Sequence, residues 1–131
     1  ITMERTTGIG GIFFKAKDPD GLQKWYESHL GLKPDPDGCV VFRWRERDEA
    51  ASKASTVWAP FPGDTKYFGN GSQTAMVNYR VKNLDAMLAQ LRSAKAKVDD
   101  KIEESEYGRF AWVTDPEGNR IELWQPPDDE A

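Results

Sequence analysis

The sequence predicts an α+β fold: two βαβββ modules forming a curved, cup-like mixed sheet with helices outside. Three observations lead there. The chain repeats itself, with Phe13–Leu22 (FFKAKDPDGL) lying over Asn78–Met87 (NYRVKNLDAM) so that Phe14 matches Tyr79, Ala16 matches Val81 and Leu22 matches Met87. Each half sets a capped amphipathic helix directly after its first strand. Each half closes on a similar strand, Ser55–Pro60 (STVWAP) over Ile121–Pro126 (IELWQP). The modules run about 8–62 and 73–126, inside one domain spanning residues 1–131.

Gly10–Lys17 reads as a strand, with Ile12, Phe14 and Ala16 on one face and Gly11, Phe13 and Lys15 on the other. Asp18-Pro19 opens a helix, because Asp accepts from orphan N–H groups and Pro at the first helical position loses no bond. Leu22, Trp25, Tyr26 and His29 fall at helical spacing and form its packing stripe, and Gly31 is its cap. His29 is the only histidine, and a packed or dipole-satisfied imidazole is the preferred reading over a catalytic one. Lys33–Gly38 is a turn-rich connection. Cys39–Arg45 is a strand, Glu46–Lys53 an exposed turn, and Ser55–Pro60 the next strand.

Phe61–Ser72 contains four Gly or Pro together with Tyr67 and Phe68. It is too broken for an element and too aromatic for a plain linker, so it reads as the crossover between halves, lying over a pocket mouth. Thr74–Val81 is a strand presenting Met76, Asn78 and Arg80 on one face and Val77, Tyr79 and Val81 on the other. Asn83 caps a helix whose stripe is Leu84, Met87, Leu88 and Leu91. Val98–Ile102 is a short link or strand. Arg109–Thr114 and Arg120–Trp124 are strands joined by Asp115-Pro116-Glu117-Gly118-Asn119, a turn by chemistry. The acidic tail, Pro127–Ala131, frays.

Composition narrows the function classes. With 38% apolar residues, five Trp and six Phe, the chain can bury a core. A net charge of −4 argues against a nucleic-acid partner. No apolar run approaches the roughly 20 residues that cross a bilayer, so no membrane partner is expected. No secretory signal is legible, and a single cysteine, Cys39, excludes an internal disulfide; a cytoplasmic setting follows.

The run Asp115–Trp124 (DPEGNRIELW) resembles the closing hairpin of the vicinal oxygen chelate superfamily, which includes glyoxalase I, bleomycin-resistance proteins and extradiol dioxygenases. The repeated βαβββ order extends the resemblance from about Gly8 to Gln125. It implies a concave ligand site between the modules and a homodimer. In metal-using members the glutamate of the last strand is a metal ligand, which implies a candidate role for Glu122.

Strand alternation assigns the lining of that cup: Phe13 and Lys15, then Thr56 and Trp58, then Met76, Asn78 and Arg80, then Arg120, Glu122 and Trp124. The phases of Cys39–Arg45 and Arg109–Thr114 stay open. The superfamily's ligand positions map to Gly11, Thr56, Met76 and Glu122, of which only Glu122 is an ordinary ligand for a divalent ion. The leading expectation is therefore a metal-independent small-molecule-binding protein without a cofactor. Arg80 or Arg120 would clamp an anion, and Trp58 and Trp124 would stack a planar group. The alternative is a glyoxalase-like lyase or isomerase, or a dioxygenase-related enzyme, with Glu122 as metal ligand or base. Pairing of Glu122 with a nearby arginine is the plainer reading of that carboxylate, and a structural or regulatory partner domain the plainer reading of the whole chain.

Overall fold

In the computed structural model the described residues are 3–47, 51–69 and 72–128. The parts of the expected 46–53 turn, 61–72 crossover and C-terminal tail at 48–50, 70–71 and 129–131 lie outside them. The first module consists of β1 (Gly8–Ala16), α1 (Pro19–Leu30), β2 (Val40–Trp44) and β3 (Ala54–Pro62). The second consists of β4 (Ala75–Arg80), α2 (Leu84–Ser93), β5 (Lys97–Val98), β6 (Glu103–Ser105), β7 (Gly108–Thr114) and β8 (Arg120–Gln125). The strands join into one mixed, curved, open sheet in the order β2-β3-β1-β4-β8-β7-β5, with β6 also on β7. The expected fold class is the observed one. The modules are unequal, however: the link after α2 becomes two short strands against β7, whereas α1 is followed by the turn-rich Lys33–Gly38 segment. No described helix is long and apolar enough to cross a membrane.

The central seam sets the geometry. β1 pairs antiparallel with β4, and β3 and β8 lie parallel on their outer edges. The β1–β4 register shifts between Ile9 and Gly11, a bulge that inserts Gly10. A Cβ on Gly10 would stand 2.2 Å from Asn78 Oδ1 and 2.8 Å from the Trp124 ring. Glycine is needed there because the backbone itself lines the inner face.

Helix ends follow their local chemistry. Asp18 Oδ1 accepts from Gly21 N at 3.1 Å, and Asn83 Oδ1 accepts from Ala86 N at 3.0 Å. Gly31 ends α1 at φ 71°. The two helices cover the sheet unequally. α2 buries Leu84, Met87 and Leu88 against Val81, Ala111, Val113 and Leu123. α1 buries no residue completely. Its expected stripe splits: Tyr26 packs on Trp58 at 4.7 Å, while Trp25 is about half exposed and stacks with exposed His29 at 4.6 Å. His29 Nδ1 lies 2.9 Å from the Trp25 carbonyl. The histidine thus sits on the outer side of α1 with a local partner.

Leu88→Ala removes a side chain that is 1% exposed in the α2 cluster and should cost about 3 kcal/mol in urea unfolding. Leu30→Ala, at a position 60% exposed, should change stability by less than about 0.5 kcal/mol.

Candidate functional site

The inner face of the sheet is built by strand registers. Asn78 of β4 faces Glu122 of β8, and Trp112 of β7 faces Glu122 from the other side. One rung on, Arg80 faces Trp124, and Trp124 faces Phe110. Pairing places these side chains on one side because opposed residues share a face. Tyr79, Ala111, Val113, Ile121 and Leu123 take the α2 side.

Glu122 is 1% exposed and accepts three hydrogen bonds. Asn78 Nδ2 donates to Oε1 at 2.6 Å, Trp112 Nε1 donates to Oε2 at 3.0 Å, and the Tyr67 hydroxyl also donates to Oε2. Among the described residues no cation forms an ion pair with it. Burial pushes the Glu122 pKa above the ordinary carboxylate value of 4.5; the three donors pull it back, and the net shift is upward. Tyr67 is held far above the usual phenol range, by burial first and then by the Glu122 charge, so its proton stays on the phenol. The Asn78 side chain is 2% exposed, and its Oδ1 has no hydrogen-bond partner. A half-turn of that amide would offer Oδ1 to a protonated Glu122, so the pair can accommodate either charge state.

The other expected lining residues take diverse places. Phe13 and Met76 join the inner aromatic cluster with Phe68 and Trp112. Arg80 is buried, with its guanidinium 5.0 Å from the Trp124 ring centre and 5.6 Å from that of Trp44. Its Nη1 donates to the Ser55 carbonyl at 3.4 Å. Arg80 and Arg120 are absent from the Glu122 partners, so the expected Glu122–arginine pair is not formed. Arg120 lies over Trp112 at 5.1 Å and pairs with Asp99.

Trp58 and Thr56 correct the expected lining. The β1–β3 register puts Trp58 beside Ile12, on the α1 side, where its ring meets Phe14 and Tyr26. Val57, Ala59 and Phe61 are the residues opposite Gly11, Phe13 and Lys15. The strand's apolar residues do not alternate with polar ones, so its pattern carries no phase. Thr56 spends its hydroxyl inside the scaffold: Trp44 Nε1 donates to it at 2.8 Å, and it donates to the Ile9 carbonyl.

Two of the Glu122 partners, Tyr67 and Trp112, were not singled out by sequence as site residues. Trp112 follows from counting back through the hairpin turn, which pairs Thr114 with Arg120 and hence Trp112 with Glu122. Tyr67 carried only the aromatic richness of the crossover.

A divalent cation does not fit this arrangement. Among the described residues no group of three or more His, Cys, Asp or Glu is placed to hold a metal ion. The groups around the carboxylate present N–H and O–H donors to it, where a cation needs oxygen or nitrogen lone pairs.

Comparisons with known proteins place these features. A family model described as a glyoxalase-like domain matches residues 11–124. No curated protein matches the chain. Among solved structures, methylmalonyl-CoA epimerase from Mycobacterium tuberculosis is 22% identical with a TM-score of 0.61, covering 97% of this chain and 93% of its own. A Streptomyces coelicolor methylmalonyl-CoA epimerase variant in complex with 2-nitronate-propionyl-CoA is 17% identical with a TM-score of 0.66, over 97% and 99%. A methylmalonyl-CoA epimerase in complex with methylmalonyl-CoA and NH4+ is likewise 17% identical with a TM-score of 0.67, over 97% and 99%. At these identities the likeness is one of fold.

A raised carboxylate pKa sets the sign of a pH effect. The folded chain holds the Glu122 proton more tightly than the unfolded chain, so this group's contribution to stability is full below the unfolded value. It is lost as pH rises through the folded value. The difference in unfolding free energy between wild type and Glu122→Gln should therefore shift against wild type as pH rises above the ordinary carboxylate value of 4.5. Gly10→Ala, which drives a methyl group into Asn78 and Trp124, should cost about 2 kcal/mol in the same assay.

Proposed function

We propose that this chain, which belongs to the glyoxalase-like domain family, is a small-molecule-binding protein that holds its ligand over Glu122, between the two modules. One observation carries this reading: a carboxylate at the middle of the inner sheet face, sealed from water and met by three donors with no compensating cation among the described residues. Burying a carboxylate costs several kcal/mol where hydrophobic residues would pack at no such cost. A perturbed ionisable group at the centre of a concave sheet is where function is expected. Among the described residues the groups that meet Glu122 are hydrogen-bond donors beside aromatic rings, which supports binding through hydrogen bonds and aromatic contact. Clamping of an anion by Arg80 or Arg120 loses its support, since Arg80 lies between indole rings and Arg120 is paired with Asp99.

The raised pKa favours a second reading. A carboxylate destabilised as an anion is a competent base for a proton beside a carbonyl group. The solved neighbours are named as methylmalonyl-CoA epimerases, and an acyl-CoA thioester is accordingly the first substrate class to try. Here Glu122 would take the proton, with Asn78 and Trp112 holding it in place.

Thermal shift with a panel of planar, cationic and acyl-CoA compounds tests the first reading. A compound bound in the cup should raise Tm in wild type and lose most of that effect in Glu122→Gln. A compound that shifts both proteins equally binds elsewhere, and a panel without any Glu122-dependent shift counts against the reading. Zn²⁺, Ni²⁺ and Mn²⁺ alone should leave Tm unchanged. Deuterium incorporation from D2O into methylmalonyl-CoA, present in wild type and absent in Glu122→Gln, would move the enzyme reading ahead.

A further inference from the structure

Three donors hold Glu122, but they do not come from equivalent places. Asn78 stands on β4 and Trp112 on β7, both inside the sheet. Tyr67 comes from the irregular segment that follows β3 and crosses to β4. It is the only one of the three that can leave the carboxylate without breaking a strand. Its ring stacks on Phe61 at 5.5 Å with planes 19° apart and meets Trp112 edge-on at 6.1 Å. Beside it, Phe68 is 2% exposed and rests on Met76 and Trp112. The segment is tethered at its end by polar contacts: Tyr67 N to Thr65 Oγ1 at 3.2 Å, and Arg120 Nε to the Tyr67 carbonyl at 3.4 Å. Gly69 follows at φ 96°. Phe68 and Gly69 also line a solvent-open cleft of about 610 Å³, together with Gln73, Asp99 and Arg120 among others.

We propose that Tyr67 is a built-in stand-in for the ligand, and that the ligand is a planar ring bearing a hydroxyl or N–H donor. It enters by displacing the Tyr67 phenol from Glu122 Oε2. This proposal rests on the reading of the cup as a binding site and names the class of molecule it takes. The argument runs from complementarity. The place Tyr67 occupies has one flat aromatic wall, Phe61, one edge-on wall, Trp112, and one acceptor, Glu122. A flat group that carries its donor at the rim fits all three at once. A ring without a donor would leave Glu122 Oε2 short of one partner, and an aliphatic ligand would forfeit the stacking on Phe61. Asn78 and Trp112 stay on the carboxylate in both states, so displacement costs the chain one hydrogen bond, which the ligand replaces. Tyr67 thereby competes with the ligand and lowers its apparent affinity.

p-Cresol, which is the tyrosine side chain without its backbone, is the probe, and toluene is the same ring without the donor. Isothermal titration should show p-cresol binding Tyr67→Ala at least about tenfold more tightly than wild type, and at least about tenfold more tightly than toluene. Tyr67→Phe keeps the ring and removes only the bond to Glu122, so it covers the case in which Tyr67→Ala fails to fold. It should also bind p-cresol more tightly than wild type. Equal affinity of Tyr67→Ala for p-cresol and toluene would show a hole without donor chemistry and would overturn the proposal. So would the absence of any gain in either variant. Either failure leaves the Glu122-dependent Tm shifts and the broader binding reading standing, whereas loss of those shifts would sink the broader reading and this proposal with it.

Discussion

The interaction on which the rest of the structure depends is the set of hydrogen bonds to the Glu122 carboxylate. It joins β8, β4, β7 and the crossover at one point. A charge at that depth is tolerable only with its lone pairs occupied. That condition explains other features. The strand register has to bring Asn78 and Trp112 opposite Glu122 on its two sides. The bulge at Gly10 keeps Cβ atoms away from Asn78. The crossover has to arrive with a donor rather than a plain apolar ring. Loss of any one donor leaves the carboxylate under-satisfied at the centre of the inner face.

Much of this was legible in the sequence, for identifiable reasons. The repeated halves and the α2 stripe were readable because periodicity reports burial directly when one face packs and the other does not. The closing hairpin was readable because its turn chemistry marks where one strand ends and the next begins, although the phase of its first strand was not read, and Glu122 stood out because it lies between hydrophobic residues on a strand. Asn78 and Glu122 were assigned to the same face from separate strands, and the structure brings them together. Trp58 and Thr56 failed because β3 is apolar on both faces, so alternation has no phase to detect. Trp25 failed because helical spacing predicts which residues share a face and says nothing about whether that face is fully covered. Tyr67 was out of reach in principle: an irregular segment has no period, and where it delivers a side chain depends on a tertiary path.

The unequal covering of the sheet also bears on the site. The second module has a buried stripe beneath α2, while the first relies on a helix with no fully buried residue. Two of the site's fixed donors, Asn78 and Trp112, belong to the better-packed module, and so does Glu122. Tyr67 and its stacking partner Phe61 belong to the end of the first module and the crossover. Stability is not uniform across a domain, and elements with few buried contacts open first. The rigid half of the site is therefore the half that carries the carboxylate. The half that fills the space above it sits on the more loosely packed scaffold.

Trp112 meets two ionisable groups. Its indole N–H points at Glu122 Oε2, while its ring lies under the Arg120 guanidinium at 5.1 Å. This ring lies between the Glu122 carboxyl group and the Arg120 guanidinium. Trp25 is stacked on His29 and half open to water, and Trp124 and Trp44 flank Arg80. Trp44 and Trp124 share one cation, whereas Trp112 and Trp25 each have surroundings of their own. The chain thus carries, at its candidate site, an indole whose N–H partner is the carboxylate itself.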